Sequence, residues 1–190
     1  MNALKGNNMQ KELLVTIDWK DVVKQNTYLY GTTMTLLSDA VIMSNPLFVS
    51  GKAVKIFRSK TNYQANRVSP ELPILMHDQD YFLELNLATV PAERYFIQVE
   101  FFNRQEESIG IVVLRPNNQS FKYPKLAYSY TISIMTAGCH ELTFSSLSIY
   151  RKKEITVDEL EQPVIRFYYL EDLPEELELV KPLIKTSHTQ

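Results

Sequence analysis

Tyr95-Phe96-Ile97-Gln98-Val99-Glu100-Phe101-Phe102 decides how the chain is read. Tyr95, Ile97, Val99 and Phe101 fall on one side of an extended chain, and Phe96, Gln98, Glu100 and Phe102 on the other. That spacing of two is the side-chain period of a strand with one buried face; a helix repeats every 3.6 residues. The same alternation recurs at 81–87 (Tyr81, Leu83, Leu85 and Leu87 against Phe82, Glu84 and Asn86). It recurs again at 128–134, where Tyr130, Ile132 and Ile134 alternate with Ser129, Thr131 and Ser133.

Weaker strand patterns cover 13–19, 27–37, 40–44, 53–58, 108–114, 142–150 and 164–169. Turn-forming residues separate them, among them Asn103 to Glu107 and Arg115 to Ser120. No long amphipathic helix lies between the strands, so a βαβ arrangement is excluded. About ten short strands at this spacing predict an all-β fold, an antiparallel β-sandwich or jelly roll. Helix is expected only at 157–161 and 174–180, the latter opening on Pro174, Glu175 and Glu176.

Length and charge refine this outline. A chain of 190 residues suffices for one sandwich and an appendage, and folding at that length buries roughly 70% of the unfolded surface. Residues 1–150 carry 14 basic and 13 acidic side chains, whereas residues 154–180 carry nine acids and the single base Arg166. The reading therefore divides the chain into a flexible 1–12, a sandwich over 13–150, and an acidic C-terminal extension over 151–190. Within that extension Phe167, Tyr168 and Tyr169 sit in an apolar, strand-like run, either a docking element or an added strand of the sandwich.

Chemistry is sparse. The lone cysteine, Cys139, allows no internal disulfide and no cysteine-based zinc cluster. His77, His140 and His188 lack a partner at metal-ligand spacing, and Cys139 and His140, being adjacent, point to opposite faces of a strand. Asp78 and Asp80 could offer oxygens to calcium, but the EF-hand pattern is missing and a turn is the plainer reading. The isolated glycines form no phosphate-cradling loop, and no G-x-S-x-G elbow occurs. No enzyme activity, cofactor or metal is expected. A net charge of −2 argues against nucleic acid, and the absence of an apolar run near ~20 residues argues against a membrane span. A cytoplasmic location is the default expectation.

One polar run stands out. Ser59 to Arg67 places Tyr63 between Asn62 and Gln64, with Arg67 close by. A ring face flanked by amides and a guanidinium suits a sugar ring or a polypeptide; a tyrosine anchoring its own loop is the plainer alternative. Trp19, in Ile17-Asp18-Trp19-Lys20-Asp21, is the other candidate contact, or a cap at a strand end.

Two stretches carry a family resemblance: SKTNYQANRVSPELPIL at 59–75 and FKYPKLAYSYTISIMTAGCHELTF at 121–144. IDWKDV at 17–22, TYLYG at 27–31 and SGKAVKIFRS at 50–59 precede them in matching order. Over roughly 13–150 the chain resembles the third accessory secretory protein family of the bacterial accessory Sec system. The resemblance implies a jelly roll like a carbohydrate-binding module. It also implies a non-catalytic adaptor in a cytoplasmic complex with the first and second accessory secretory proteins, recruited to the inner face of the membrane through partners. Such a complex helps deliver glycosylated serine-rich-repeat adhesins to a dedicated motor ATPase and channel. The alternative is a sugar-binding module that recognises N-acetylglucosamine or glucose on the adhesin.

Overall fold

The computed structural model describes residues 9–19, 26–116 and 119–154. Ten strands and one helical turn make up these residues. The strands are β1 (Met9–Ile17), β2 (Thr33–Leu36), β3 (Val41–Ser44), β4 (Ala53–Arg58), β5 (Asp80–Val90), β6 (Tyr95–Phe102), β7 (Ser108–Leu114), β8 (Ser120–Lys122), β9 (Ser129–Thr136) and β10 (Glu141–Glu154). The helical turn, α1, is Tyr63–Asn66.

All pairings are antiparallel and fall into two sheets. One runs β2-β3-β10-β5-β8, with β1 also paired to β10; the other runs β4-β9-β6-β7. Strands β3 to β10 thus give the orders 3-10-5-8 and 4-9-6-7, the two interlocked Greek keys of an eight-stranded jelly roll. The expected antiparallel sandwich is the fold.

The inward face of each strand is the apolar one read from the alternation. Ile97, Val99 and Phe101 of β6 meet Leu83 of β5 and Leu147 and Ile149 of β10 in one continuous core, with Ile132 and Ile134 of β9 beside them. Removing such fully buried groups leaves cavities costing about 2–5 kcal/mol each. An aromatic chain threads one end of this core: Phe101 lies edge-on to Tyr123, and Tyr123 edge-on to Tyr130, at centroid distances of 5.8 and 5.5 Å.

Several strand limits differ from expectation, for physical reasons. The pattern at 27–37 does not form one strand. Thr27 bridges Lys55 beside β4, and the chain then turns at Gly31, whose φ of +67° favours glycine, before β2 begins at Thr33. β1 spans 9–17 rather than 13–19, because its first residues pair with Lys152 to Glu154 of a longer β10. β8 has three residues, too few for any periodicity to reveal, and is held by pairing with Asp80 to Phe82. The α1 turn falls inside the polar run, where no helix was expected; the expected elements at 157–161, 164–169 and 174–180 lie outside the described residues.

β4 carries a register shift between Ala53 and Lys55. Beyond it Lys55 stands opposite Ile134, and Phe57 opposite Ile132, so Lys55 shares the core face. Its side chain is wholly buried. The ammonium reaches Glu71 at 2.8 Å and lies over the rings of Phe57 and Trp19, at 5.1 and 5.6 Å from their centroids.

Candidate functional site

The outward face of the β4-β9-β6-β7 sheet is lined by a row of hydroxyls. Ser129, Thr131 and Ser133 alternate with the core residues of β9. Although they point outward, they are only 6–8% exposed. Across the sheet Thr131 is flanked by Arg58 of β4 and Glu100 of β6, and Ser129 by Phe102.

The segment after β4 folds back over this row and creates a recess. The Ser59 amide donates to the Tyr130 carbonyl at 3.1 Å, and its hydroxyl accepts from the Tyr130 amide at 2.8 Å. The amides of Glu71 and Leu72 both donate to the Arg58 carbonyl, bringing the chain back to its start. The Thr61 hydroxyl donates to the Val68 carbonyl at 2.6 Å, closing the loop internally. The result is an open cavity of about 780 Å³. Its walls include Arg58, Asn62, Tyr63, Gln64, Ser129 and Thr131. A shallower recess of about 380 Å³ follows along the same sheet, beside Tyr28, Lys52 and Met135.

An ion pair spans the rim. Lys60 contacts Glu106, in the β6–β7 loop, at 2.9 Å. The hydrogen bond from Lys60 holds the Glu106 carboxyl below the usual glutamate range, and the same bond raises the Lys60 ammonium. Tyr128 lies beneath two cations, Lys60 at 5.3 Å and Arg104 at 5.7 Å from its ring centroid.

Of the candidates named from sequence, Asn62, Tyr63 and Gln64 come together on the cavity wall. Tyr63 is 55% exposed, and its carbonyl accepts the Arg67 amide at 2.8 Å, closing α1. Arg67 has a φ of +55° and stacks its guanidinium 5.9 Å from the Tyr63 centroid, so it braces the ring from outside the wall. Trp19 requires a correction as a contact residue. It is 4% exposed and packs edge-on against Phe144 at 5.7 Å, because β1 delivers it into the core. Phe167, Tyr168 and Tyr169 lie outside the described residues.

Sequence reasoning missed Arg58, Phe102, Glu106 and Tyr128, which reach the site only through strand pairing and loop closure. The hydroxyls of β9 were visible as the polar half of an alternating strand, but nothing local marked that half as sheltered.

The remaining chemical candidates occupy ordinary places. His77 stacks on Tyr123 at 5.6 Å and holds the Ala127 carbonyl through Nε2 at 2.8 Å. Cys139 is buried, and that burial pushes its thiol up. Asp78 pairs with Lys122 at 3.7 Å, and Asp80 begins β5. Among the described residues no group of three or more His, Cys, Asp or Glu side chains could hold a metal ion. No helix among them is long and apolar enough to cross a membrane. Hydroxyls, amides, a guanidinium and one open ring form a surface that can hydrogen-bond and stack with a ligand.

Fold and site together define a jelly-roll module with a recessed, hydrogen-bonding sheet face. Residues 27–151 match the family described as Accessory Sec secretory system ASP3, and the chain belongs to that family. The accessory Sec system protein ASP3 of Streptococcus gordonii is 35% identical over 127 residues, covering 66% of this chain and 80% of its own length. Two solved structures are similar. A chain of the Streptococcus pneumoniae complex of accessory secretory proteins 1, 2 and 3 superposes with a TM-score of 0.68 at 35% identity, covering 73% of this chain and 96% of that one. A chain of the Glycosylation Associate Protein (Gap123) complex of Streptococcus agalactiae gives 0.64 at 37% identity, covering 75% of this chain and 44% of that one.

Proposed function

We propose that this protein is a non-catalytic adaptor that joins the first and second accessory secretory proteins and helps hand a glycosylated serine-rich-repeat adhesin to the dedicated motor ATPase and channel. The observation that carries this reading is the likeness to a chain from a three-protein complex of accessory secretory proteins. The recessed face adds chemical support, since its hydroxyls and amides recognise a polar polypeptide without reacting with it. The adaptor works in the cytoplasm and reaches the inner face of the membrane through its partners. Its working parts are the sandwich, which begins with β1 rather than at 13 and runs to the end of β10 at Glu154 rather than to 150, and the acidic extension that follows, in which Phe167, Tyr168 and Tyr169 anchor a partner.

The test is co-purification of the full chain with both accessory secretory proteins. The three co-elute from a sizing column at micromolar concentration; separate elution would end the adaptor reading. Replacing Phe167, Tyr168 and Tyr169 together by alanine weakens co-elution where the extension is the dock and leaves it intact where the sandwich alone serves.

A second reading is favoured by Tyr63, an open ring set between Asn62 and Gln64 on the cavity wall. In it the cavity binds N-acetylglucosamine or glucose carried by the adhesin. Millimolar sugar then perturbs Tyr63 resonances, and Tyr63→Ala removes the response. An adaptor without a sugar site shows no response in either protein.

A further inference from the structure

Among the described residues, the charged side chains that line the cavity are Arg58, Lys60, Glu71 and Glu106. Three of them are already matched. Glu71 holds the buried Lys55 ammonium at 2.8 Å, and Lys60 and Glu106 hold each other at 2.9 Å. Arg58 differs. Its backbone carbonyl accepts the amides of Glu71 and Leu72. Its guanidinium makes no ion pair and no hydrogen bond among the described residues. Arg58 is half-buried, so its side chain has lost part of its hydration without gaining a partner. The pairing of β4 with β9 sets it opposite Thr131, whose hydroxyl lies beside it. Glu100 stands on the far side of Thr131 and is not part of the lining. Arg67 behind the Tyr63 ring and Arg104 over Tyr128 also lack an ion pair among the described residues, which makes the mouth cationic.

We propose that the cavity selects an acidic side chain, the carboxylate of an Asp or Glu in a bound polypeptide, with Arg58 as its partner. The inference rests on the reading that the recessed face recognises a polar polypeptide, and it names the residue class that face selects. A planar guanidinium offers a carboxylate two parallel hydrogen bonds, and the Thr131 hydroxyl can donate a third. A neutral ligand leaves the charge of Arg58 unmet, and a basic one is repelled by it. The recess continues along the sheet toward Tyr28, Lys52 and Met135, so a chain has room to run on past the acidic residue. From Ser129 to Met135, β9 spans about 20 Å, the length of about six extended residues.

The test is an NMR titration of the full chain with two capped peptides, acetyl-Ser-Ser-Glu-Ser-Ser-amide and the same peptide with Gln in place of Glu. The acidic peptide shifts the Ser129 and Thr131 amides and binds about tenfold more tightly than its neutral counterpart. Added salt shrinks that preference, because the cavity is open to solvent. Arg58→Gln removes the preference, and Arg58→Lys keeps part of it. Arg94→Gln removes the same charge from the exposed turn at the other end of β6 and leaves the preference at the wild-type value. Comparing the two peptides on the wild-type chain needs no variant to fold. Equal affinity for both overturns the proposal and leaves the polypeptide reading standing; binding of neither overturns both. A preference that survives in Arg58→Gln overturns the proposal too. Glucuronate that binds more tightly than the acidic peptide assigns the site to an acidic sugar, with the same consequence.

Discussion

The ammonium of Lys55, wholly buried on the core face of β4, donates to a carboxylate oxygen of Glu71 at 2.8 Å. Glu71 lies at the far end of the loop that roofs the cavity, so one ion pair ties core to roof. Removing a carboxylate that a buried cation holds costs more than the intact pair contributes, because part of the cation's desolvation is no longer offset. Glu71 keeps some access to solvent, which moderates the loss.

Glu71→Ala therefore lowers stability by about 2–3 kcal/mol in urea unfolding, with the slope unchanged. The double variant Lys55→Met/Glu71→Leu recovers most of that loss, since an apolar pair of similar volume needs no compensation. A single variant with wild-type stability would mean that Glu71 does not stabilise the buried cation.

Tyr130 gives the fold an alkaline limit. Its hydroxyl donates to the Pro73 carbonyl at 2.9 Å, and burial raises its phenol far above the usual tyrosine range, with Tyr123 and Tyr81 adding to the shift. A group whose folded value is raised contributes its full stability below the unfolded value. It loses that contribution as pH climbs from about 10 toward the folded value. The urea midpoint should thus hold steady to about pH 10 and fall above it, with a shallower fall in Tyr130→Phe. At neutral pH that variant loses about 1–2 kcal/mol, because the Pro73 carbonyl is left without its donor.

Glu106 reports whether the rim is closed. The hydrogen bond from Lys60 keeps its carboxyl below the ordinary value, so the carboxylate stays charged above the unfolded value and loses the bond as pH falls through the lowered one. In a carbon-detected NMR titration Glu106 is displaced downward from about 4.3, and Lys60→Met returns it there. A titration identical in the two proteins would show that the pair does not persist in solution.

Trp19 behaves as a core residue. Its emission is blue-shifted, resists acrylamide, and changes only as the sandwich unfolds. N-acetylglucosamine at millimolar concentration leaves it unchanged even if Tyr63 responds. Quenching by sugar would place the ring at a binding surface and contradict its packing against Phe144.

The strands of the core were legible because their signal is local. Tyr95 to Phe102 alternates without interruption, and the structure buries the half that the pattern marked as inward. The polar run from Ser59 to Arg67 was legible as unusual for a similar reason, three amides and an open tyrosine in a short span. Its partners were not. Arg58 and Thr131 are neighbours only because β4 pairs with β9, and Glu106 meets Lys60 only because the β6–β7 loop lies beside the roof.

The order of side chains alone determined an antiparallel all-β molecule with short turns and a change to acidic composition near residue 150. Period-two alternation and turn chemistry need nothing beyond neighbouring residues to act. Tertiary pairing alone decided that Lys55 faces inward, that Trp19 is covered, and that the hydroxyls of β9 are sheltered. A single extra residue in a strand reverses which way the following side chains point, and where that residue falls is settled by the partner strand, which lies far away in the chain.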